Sequence, residues 1–393
     1  IGGFTFVVFK TYKMNDMKGK QGMVCMGLLL VLSSCHTGKQ ITASGLQRKD
    51  FQTEVNGQHT DLFTLSNKQG MEVCITNYGA RVVSILVPDR NGKREDVVCG
   101  FSTITEYMEQ RQNFGSTVGR YIGRILNARF TLDGVEYKLV PNNGKSGHIS
   151  HGGNPGFADR MWKVEQADTH RVRLSYLSPD GENGFPGNLK VTLVYSLGED
   201  DNALDLTYEA TTDAPTVLNL SHHSFFNISG NFTKSVEDQQ LWVDADRFTP
   251  YDDKKCVTGE YLPVAGTPLD FRMPHAIGEC IDADHPQLKV VNGYDHTWEL
   301  NTKGDDTRPA AWVYDPASGR KMEIFTTEPG IQIYTGNGLK GKMTGKRGIA
   351  YPFRSAVCFE TMHFQDSPNQ PGFPSTVLRP GEVFRSHTVY KFE

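Results

Sequence analysis

The sequence predicts an all-β protein built as a large sandwich of antiparallel sheets. From residue 50 onward, short stretches of alternating apolar and polar residues recur between Gly, Asn, Asp and Pro turn signals, and helical periodicity is scarce. The body holds no internal repeat of about 20–50 residues and no low-complexity block, which disfavours solenoids and propellers. No break in composition marks an interdomain linker, although a chain of 393 residues could on length alone form two domains.

The amino-terminal segment reads differently from the rest. Lys18 and Lys20 precede an apolar run, Met23 to Leu32, that is too short to span a bilayer comfortably and has the character of an export signal. Leu32-Ser33-Ser34-Cys35 then resembles a bacterial lipobox, in which the cysteine is lipidated and becomes the new amino terminus. Residues 1–16 lie upstream of this signal, so translation is expected to begin at Met14 or Met17. The expected organisation is an extension plus signal over 1–34, a tether over 35–49 and one body over 50–393. Multiple acylation of Cys35 would hold the protein at a membrane, because anchoring grows with the number of buried methylene groups. The expected location is extracytoplasmic, in the periplasm or at the outer membrane. A cytoplasmic protein with an apolar tail is the alternative.

Charge and cysteine usage narrow the partners. A formal net charge of -4 gives no reason to expect nucleic acid. With Cys25 in the signal and Cys35 lipidated, Cys74, Cys99, Cys256, Cys280 and Cys358 remain, an odd set without the spacing of a zinc site, read as mostly buried thiols. Nothing in the sequence sets an oligomeric state.

Within the body, Arg129 to Leu139 places Asp133-Gly134 between two alternating arms, as a tight hairpin requires. Leu189 to Leu197 and Ala203 to Thr212 flank a polar turn at Asp200 and Asp201, and Lys321 to Asn337 gives two strands split by Pro329-Gly330. The glycine-rich stretch Gly336 to Gly348 lacks P-loop spacing and reads as a solvated loop. There is no G-x-S-x-G and no H-E-x-x-H.

Chemistry is suggested by polar residues where a strand is normally apolar. Thr216 to Asn227, TVLNLSHHSFFN, carries two adjacent histidines, and strand geometry turns them to opposite faces. His223 keeps the more polar company, with Asn219 and Ser221, while His222 follows Leu218 and Leu220. In Ala356 to Phe364, AVCFETMHF, Glu360 shares a face with Cys358 and Met362, where an unpartnered carboxylate would cost several kcal/mol. Four weaker signals are Arg120 and Arg124, His151 before two glycines, Asp295 in NGYDHTWEL, and Gln332 in IQIYTGN. Taken singly, each of these also fits a structural role.

Together these segments, in this order, resemble the aldose 1-epimerases, or galactose mutarotases. The resemblance runs from about Phe51 to Glu393 and includes TNYGARVVSILVPDRNG, GRYIGRI, HGG, SPDGENGFPGNLKV, LNLSHHSFFN, GYDHTW, TTEPGIQIYTGN, CFET and LRPGEVF. It implies one large antiparallel supersandwich with an open sugar cleft, which overrides a two-domain reading. It further implies that His223 is the acid at the sugar ring oxygen and Glu360 the base. Arg124, His151, Asp295 and Gln332 would bind hydroxyls. Family members often carry Asn where this chain has His222 and where it has Gly123, and the second difference bears on sugar specificity.

The implied reaction interconverts the α and β anomers of free aldohexoses such as glucose and galactose. The anomeric hydroxyl loses a proton while the ring oxygen gains one, and the aldehyde rotates and recloses. General acid–base catalysis suffices, so no metal or cofactor is called for. Phe225 and Trp298 could stack on sugar, though core packing suits them better. The rival readings are a glycoside hydrolase using Glu360 and Asp295, and a non-catalytic carbohydrate-binding lipoprotein.

Overall fold

A computed structural model describes residues 40–393, and the signal, the lipobox and Cys35 lie outside the described residues. The region expected to be a tether is already docked from about residue 41. Ile41 bridges Gln47, Ser44 N donates to Glu72, and Leu46 and Phe51 are buried.

One nine-stranded antiparallel sheet forms the largest layer. Across it run Lys163–Ala167, Arg171–Ser178, Leu189–Leu197, Ala203–Thr212, Phe384–Phe392, Lys321–Thr326, Ala311–Tyr314, Gln240–Val243 and His275–Ala276. Leu189–Leu197 and Ala203–Thr212 have the predicted bounds and lie side by side in continuous register. Burial alternates along Ala203–Thr212, so one face enters the core and the other meets solvent.

A six-stranded sheet supplies the second layer, in the order Phe225–Phe226, Val357–Met362, Gly330–Tyr334, Asp295–Glu299, Arg247–Thr249 and Leu262–Pro263. A four-stranded sheet from Leu62–Ser66 to Arg94–Asp96 extends the sandwich. The largest apolar cluster joins all three, with Leu193 and Ile324 from the first, Trp298 and Phe359 from the second, and Ile75 and Ile85 from the third. Pro329-Gly330 therefore does not close a hairpin. Lys321–Thr326 belongs to the nine-stranded sheet and Gly330–Tyr334 to the six-stranded one, so the turn carries the chain between layers.

Several local expectations hold in detail. Asp133 and Gly134 both have positive φ (51° and 80°) between Arg129–Leu132 and Val135–Lys138, the conformation of a two-residue hairpin turn. Two short α-helices occur among the described residues, Ile104–Gln110 and Pro286–Val291. The first is set by a capping box in which Thr103 and Glu106 exchange hydrogen bonds. The five cysteines of the body are free thiols, all buried except the half-buried Cys280.

The stretch Gly336 to Gly348 is not simply solvated. Lys346 is buried, with its ammonium 2.5 Å from Asp96 Oδ2 and donating to the carbonyl of Val83, so this loop is fastened to the four-stranded sheet. The ion pair satisfies a charge that would otherwise be costly to bury.

Candidate active site

Thr216 to Asn227 is not one strand. It breaks into Thr216–Val217, Ser221–His223 and Phe225–Phe226, which pair respectively with Val377–Leu378, Ser116–Val118 and Val357–Met362. The extended backbone nevertheless turns the two histidines apart. His222 faces the core, with Nε2 2.6 Å from Ser224 Oγ and its ring beside Tyr195 and Tyr390. Burial drives the His222 pKa down to about 3, so it stays a neutral packing group. His223 faces a polar cavity of about 240 Å³.

The six-stranded sheet delivers the other walls of that cavity. Val357–Met362 is buried along its whole length, because one face meets the core and the other the cavity. Glu360 projects into the cavity from this strand and is register partner to Gln332 on Gly330–Tyr334. Asp295 opens Asp295–Glu299, one strand further on, and accepts a 2.7 Å hydrogen bond from Gln332 Nε2. It is a strand residue, not a turn or helix cap. Thr297 fixes the amide from the other side by donating to Gln332 Oε1 at 2.5 Å.

Arg124 and His151 come from the paired segments Arg124–Ile125 and Ile149–Ser150 and the turn after them. His151 has a left-handed backbone (φ 52°), and its N–H donates to Gly123 O at 2.9 Å. The glycine that follows serves backbone approach: a Cβ on Gly152 would lie 2.0 Å from Gly119 O. The two arginines have separate tasks. Arg120 is buried and donates to Ser178, Pro186, Gly187 and Thr216, a structural knot away from the cavity, whereas Arg124 lines the cavity.

All six residues predicted to handle sugar thus meet in one place: His223, Glu360, Arg124, His151, Asp295 and Gln332. His223 Nε2 lies 3.4 Å from Glu360 Oε1, and Cys358 Sγ sits 3.6 Å from the other ring nitrogen. Phe225 stacks flat on His223, with centroids 5.0 Å apart and planes 17° apart, and itself borders the cavity. Trp298 is core, its indole donating to Leu269 O. Sequence reasoning did not single out Gln365 or Tyr334, which also line the cavity.

Electrostatics follow from burial. The Glu360 carboxyl is pushed well above the usual carboxylate range by desolvation, reinforced by Asp295. His223 is pushed well below the usual imidazole range by desolvation and by His151. His151 itself falls to about 4 through desolvation and the Arg124 charge, and its buried Nδ1 has no hydrogen-bond partner. Desolvation raises the Asp295 carboxyl too, against the pull of Arg124 and Gln332. Burial opposes the Arg124 charge, yet Tyr251 and Asp295 hold that guanidinium above its ordinary range. The cavity therefore pairs one cation with one anion beside a histidine–carboxyl pair biased toward its uncharged form.

Known proteins resemble this chain over most of its length. The sequence pattern of the aldose 1-epimerase family matches residues 61–391. The chain is 39% identical to a galactose mutarotase from Sus scrofa over 84% of this chain and 93% of that one. It is 36% identical to an aldose 1-epimerase from Escherichia coli K12 over 86% and 96%. Among solved structures, an aldose epimerase homologue from C. elegans superposes with a TM-score of 0.78 at 31% identity, covering 85% of this chain and 99% of that one. A galactose 1-epimerase from Lactobacillus acidophilus NCFM gives 0.75 at 28% identity, covering 87% and 96%. The family pattern spans well over half of the chain and the relatives cover most of its length, and on this ground the chain belongs to the aldose 1-epimerase family.

Proposed function

We propose that this protein is an aldose 1-epimerase, an isomerase that interconverts the α and β anomers of free aldohexoses by opening and reclosing the ring. The observation that carries the reading is the 3.4 Å separation of His223 Nε2 and Glu360 Oε1 at the wall of a polar cavity. The anomeric hydroxyl and the ring oxygen are bonded to the same carbon, so a donor and an acceptor that serve both must sit side by side. A glycosidase instead sets two carboxyl groups about 5–9.5 Å apart on either side of a bond.

Burial moves both members of the pair toward neutrality, which leaves a single proton to share. Its transfer from Glu360 to His223 creates the carboxylate and imidazolium that ring opening uses, without changing the net charge of a desolvated site. Glu360 then takes the proton of the anomeric hydroxyl while His223 protonates the ring oxygen. After rotation about C1–C2 the roles reverse. Arg124 and Asp295 hold hydroxyls with charge-assisted hydrogen bonds, Gln332 orients Asp295, and the unpartnered Nδ1 of buried His151 is free to bind another hydroxyl.

Polarimetry of freshly dissolved α-glucose or α-galactose tests this reading. The wild type accelerates the rotation change and Glu360→Gln loses about 10²–10⁴-fold of that acceleration. An unchanged rate in Glu360→Gln would remove Glu360 from the mechanism, and release of reducing ends from oligosaccharides would favour a hydrolase.

We further propose an extracytoplasmic location with a lipid anchor at Cys35, supported by the lipobox-like LSSC after an apolar run. There the activity would equilibrate anomers of scavenged sugars before uptake. Membrane fractionation of wild type and Cys35→Ala tests it: recovery of the wild type only in the soluble fraction would defeat the proposal.

A further inference from the structure

Gln365 follows the strand of Glu360 and lines the cavity, and its side chain spends its hydrogen-bonding capacity on Arg124, Gln332 and Tyr251. A primary amide offers two N–H donors and an oxygen with two lone pairs. Gln365 Nε2 donates to Tyr251 OH at 2.6 Å and reaches Gln332 Oε1 at 3.4 Å. Its Oε1 accepts from Arg124 N at 3.2 Å and from Arg124 Nη1 at 3.5 Å. The Tyr251 ring in turn lies 6.0 Å from the Arg124 guanidinium. One amide thus ties the backbone and side chain of Arg124 to Gln332, and through Gln332 to Asp295.

The room for this amide is supplied by Gly123. A Cβ at that position would come within 2.6 Å of Gln365 Cγ and 3.1 Å of Cδ. The Gly123 backbone is left-handed (φ +76°), a conformation that Asn tolerates better than other side chains. The space beside Arg124 can therefore hold a side chain from position 123 or the amide from position 365, not both in their present places.

Resting on the epimerase reading, we propose that Gln365 is a positioning residue that fixes Arg124 and Gln332 for sugar binding, and that Gly123 is its necessary partner. Because all four of its hydrogen-bonding places are taken, Gln365 acts through these neighbours without touching the sugar. It has no contact with His223 or Glu360 among its hydrogen bonds, so it governs affinity and not the proton relay.

The test measures mutarotation kinetics together with calorimetric binding of 1-deoxyglucose, which cannot mutarotate. Gln365→Met fills the volume but removes the amide. It is expected to raise both KM and the 1-deoxyglucose Kd about tenfold, as loss of a hydrogen bond to a charged group does, with kcat within about twofold of wild type. Gly123→Asn displaces Gln365 and gives a similar rise. In Gly123→Asn/Gln365→Ala the asparagine enters the vacated space, so the double variant binds better than the product of the effects measured for Gly123→Asn and for Gln365→Ala alone. Melting temperatures within about 3 °C of wild type show that the variants remain folded. Unchanged KM and Kd in Gln365→Met would overturn the positioning role, and strictly multiplicative effects in the double variant would overturn the pairing with Gly123. A wild type that binds 1-deoxyglucose without accelerating mutarotation would sink the epimerase reading while the binding measurements still judge Gln365. A wild type that binds no aldose at all would overturn both.

Discussion

His223 Nε2 and Glu360 Oε1 face each other at 3.4 Å in a site where desolvation favours the uncharged form of each. With the carboxyl raised and the imidazole lowered, the two groups titrate as a unit that carries one proton over a broad range around neutrality. At low pH a second proton binds and no base remains; at high pH the last proton leaves and no acid remains. The expected kcat/KM profile for mutarotation is a wide plateau with falls on both sides, and Glu360→Gln abolishes the plateau. A single rising limb through neutral pH would contradict the shared proton.

Asp295 and His151 act on binding. Asp295→Asn removes the charge that faces Arg124 while leaving an acceptor for Gln332, and is expected to lower kcat/KM by about one to two powers of ten, the worth of a charge-assisted hydrogen bond. His151→Ala, which removes the unpartnered Nδ1, raises KM more than it lowers kcat. Steady-state polarimetry with glucose and galactose reads both.

The two arginines of GRYIGR separate stability from affinity. Arg120→Leu leaves the carbonyls of Pro186 and Gly187 and the hydroxyl of Ser178 without their donor, and is expected to cost about 3 kcal/mol or more in urea unfolding. Arg124→Lys keeps a charge but loses the planar fork, so KM rises while the unfolding midpoint holds.

His387, on strand Phe384–Phe392 of the nine-stranded sheet, is held between Asp205 and Asp306, with each ring nitrogen 2.6 Å from a carboxylate oxygen. The hydrogen bond to Asp205, with that to Asp306, raises its pKa to about 9 against burial. A folded-state pKa above the unfolded value means that this stabilisation is complete below about pH 6.5 and is lost as pH rises through about 9. Melting temperature should fall over that interval in the wild type and fall less in His387→Gln.

Much of this architecture was legible in the chain. Leu189–Leu197 and Ala203–Thr212 announce themselves because each has a wet face and a dry face, and Asp133-Gly134 because a two-residue turn demands positive φ. Alternation also separated His222 from His223, even though the strand is broken into three, since extended backbone preserves the facing of neighbours. The bounds of Val357–Met362 were less sharp, because a strand buried on both faces shows no alternation. The helix Ile104–Gln110 was missed although its T-x-x-E capping box was in view.

A charge inside an apolar strand was easier to find than a polar residue in a loop. Glu360 stands out as a charge in an apolar run, whereas Gln365 follows the strand in HFQDSPNQ, where a polar residue needs no explanation. Its importance comes from contacts 33, 114 and 241 residues away in sequence, with Gln332, Tyr251 and Arg124, which no local pattern encodes. Lys346 was hidden in the same way: its loop looks solvated until Asp96 is brought to it.

Phe225 is paired with Cys358, and Gln332 with Glu360, in adjacent strands of one sheet. His223 ends a strand paired with Ser116–Val118, two residues before Phe225 joins the strand of Glu360, so proton donor and acceptor hang from two backbone ladders that meet at Ser224, and paired strands set the gap between them instead of the reach of a swinging lid. Thermal inactivation of the proton relay is therefore expected to coincide with the melting of these two sheets, which activity and circular dichroism followed on one temperature ramp would check.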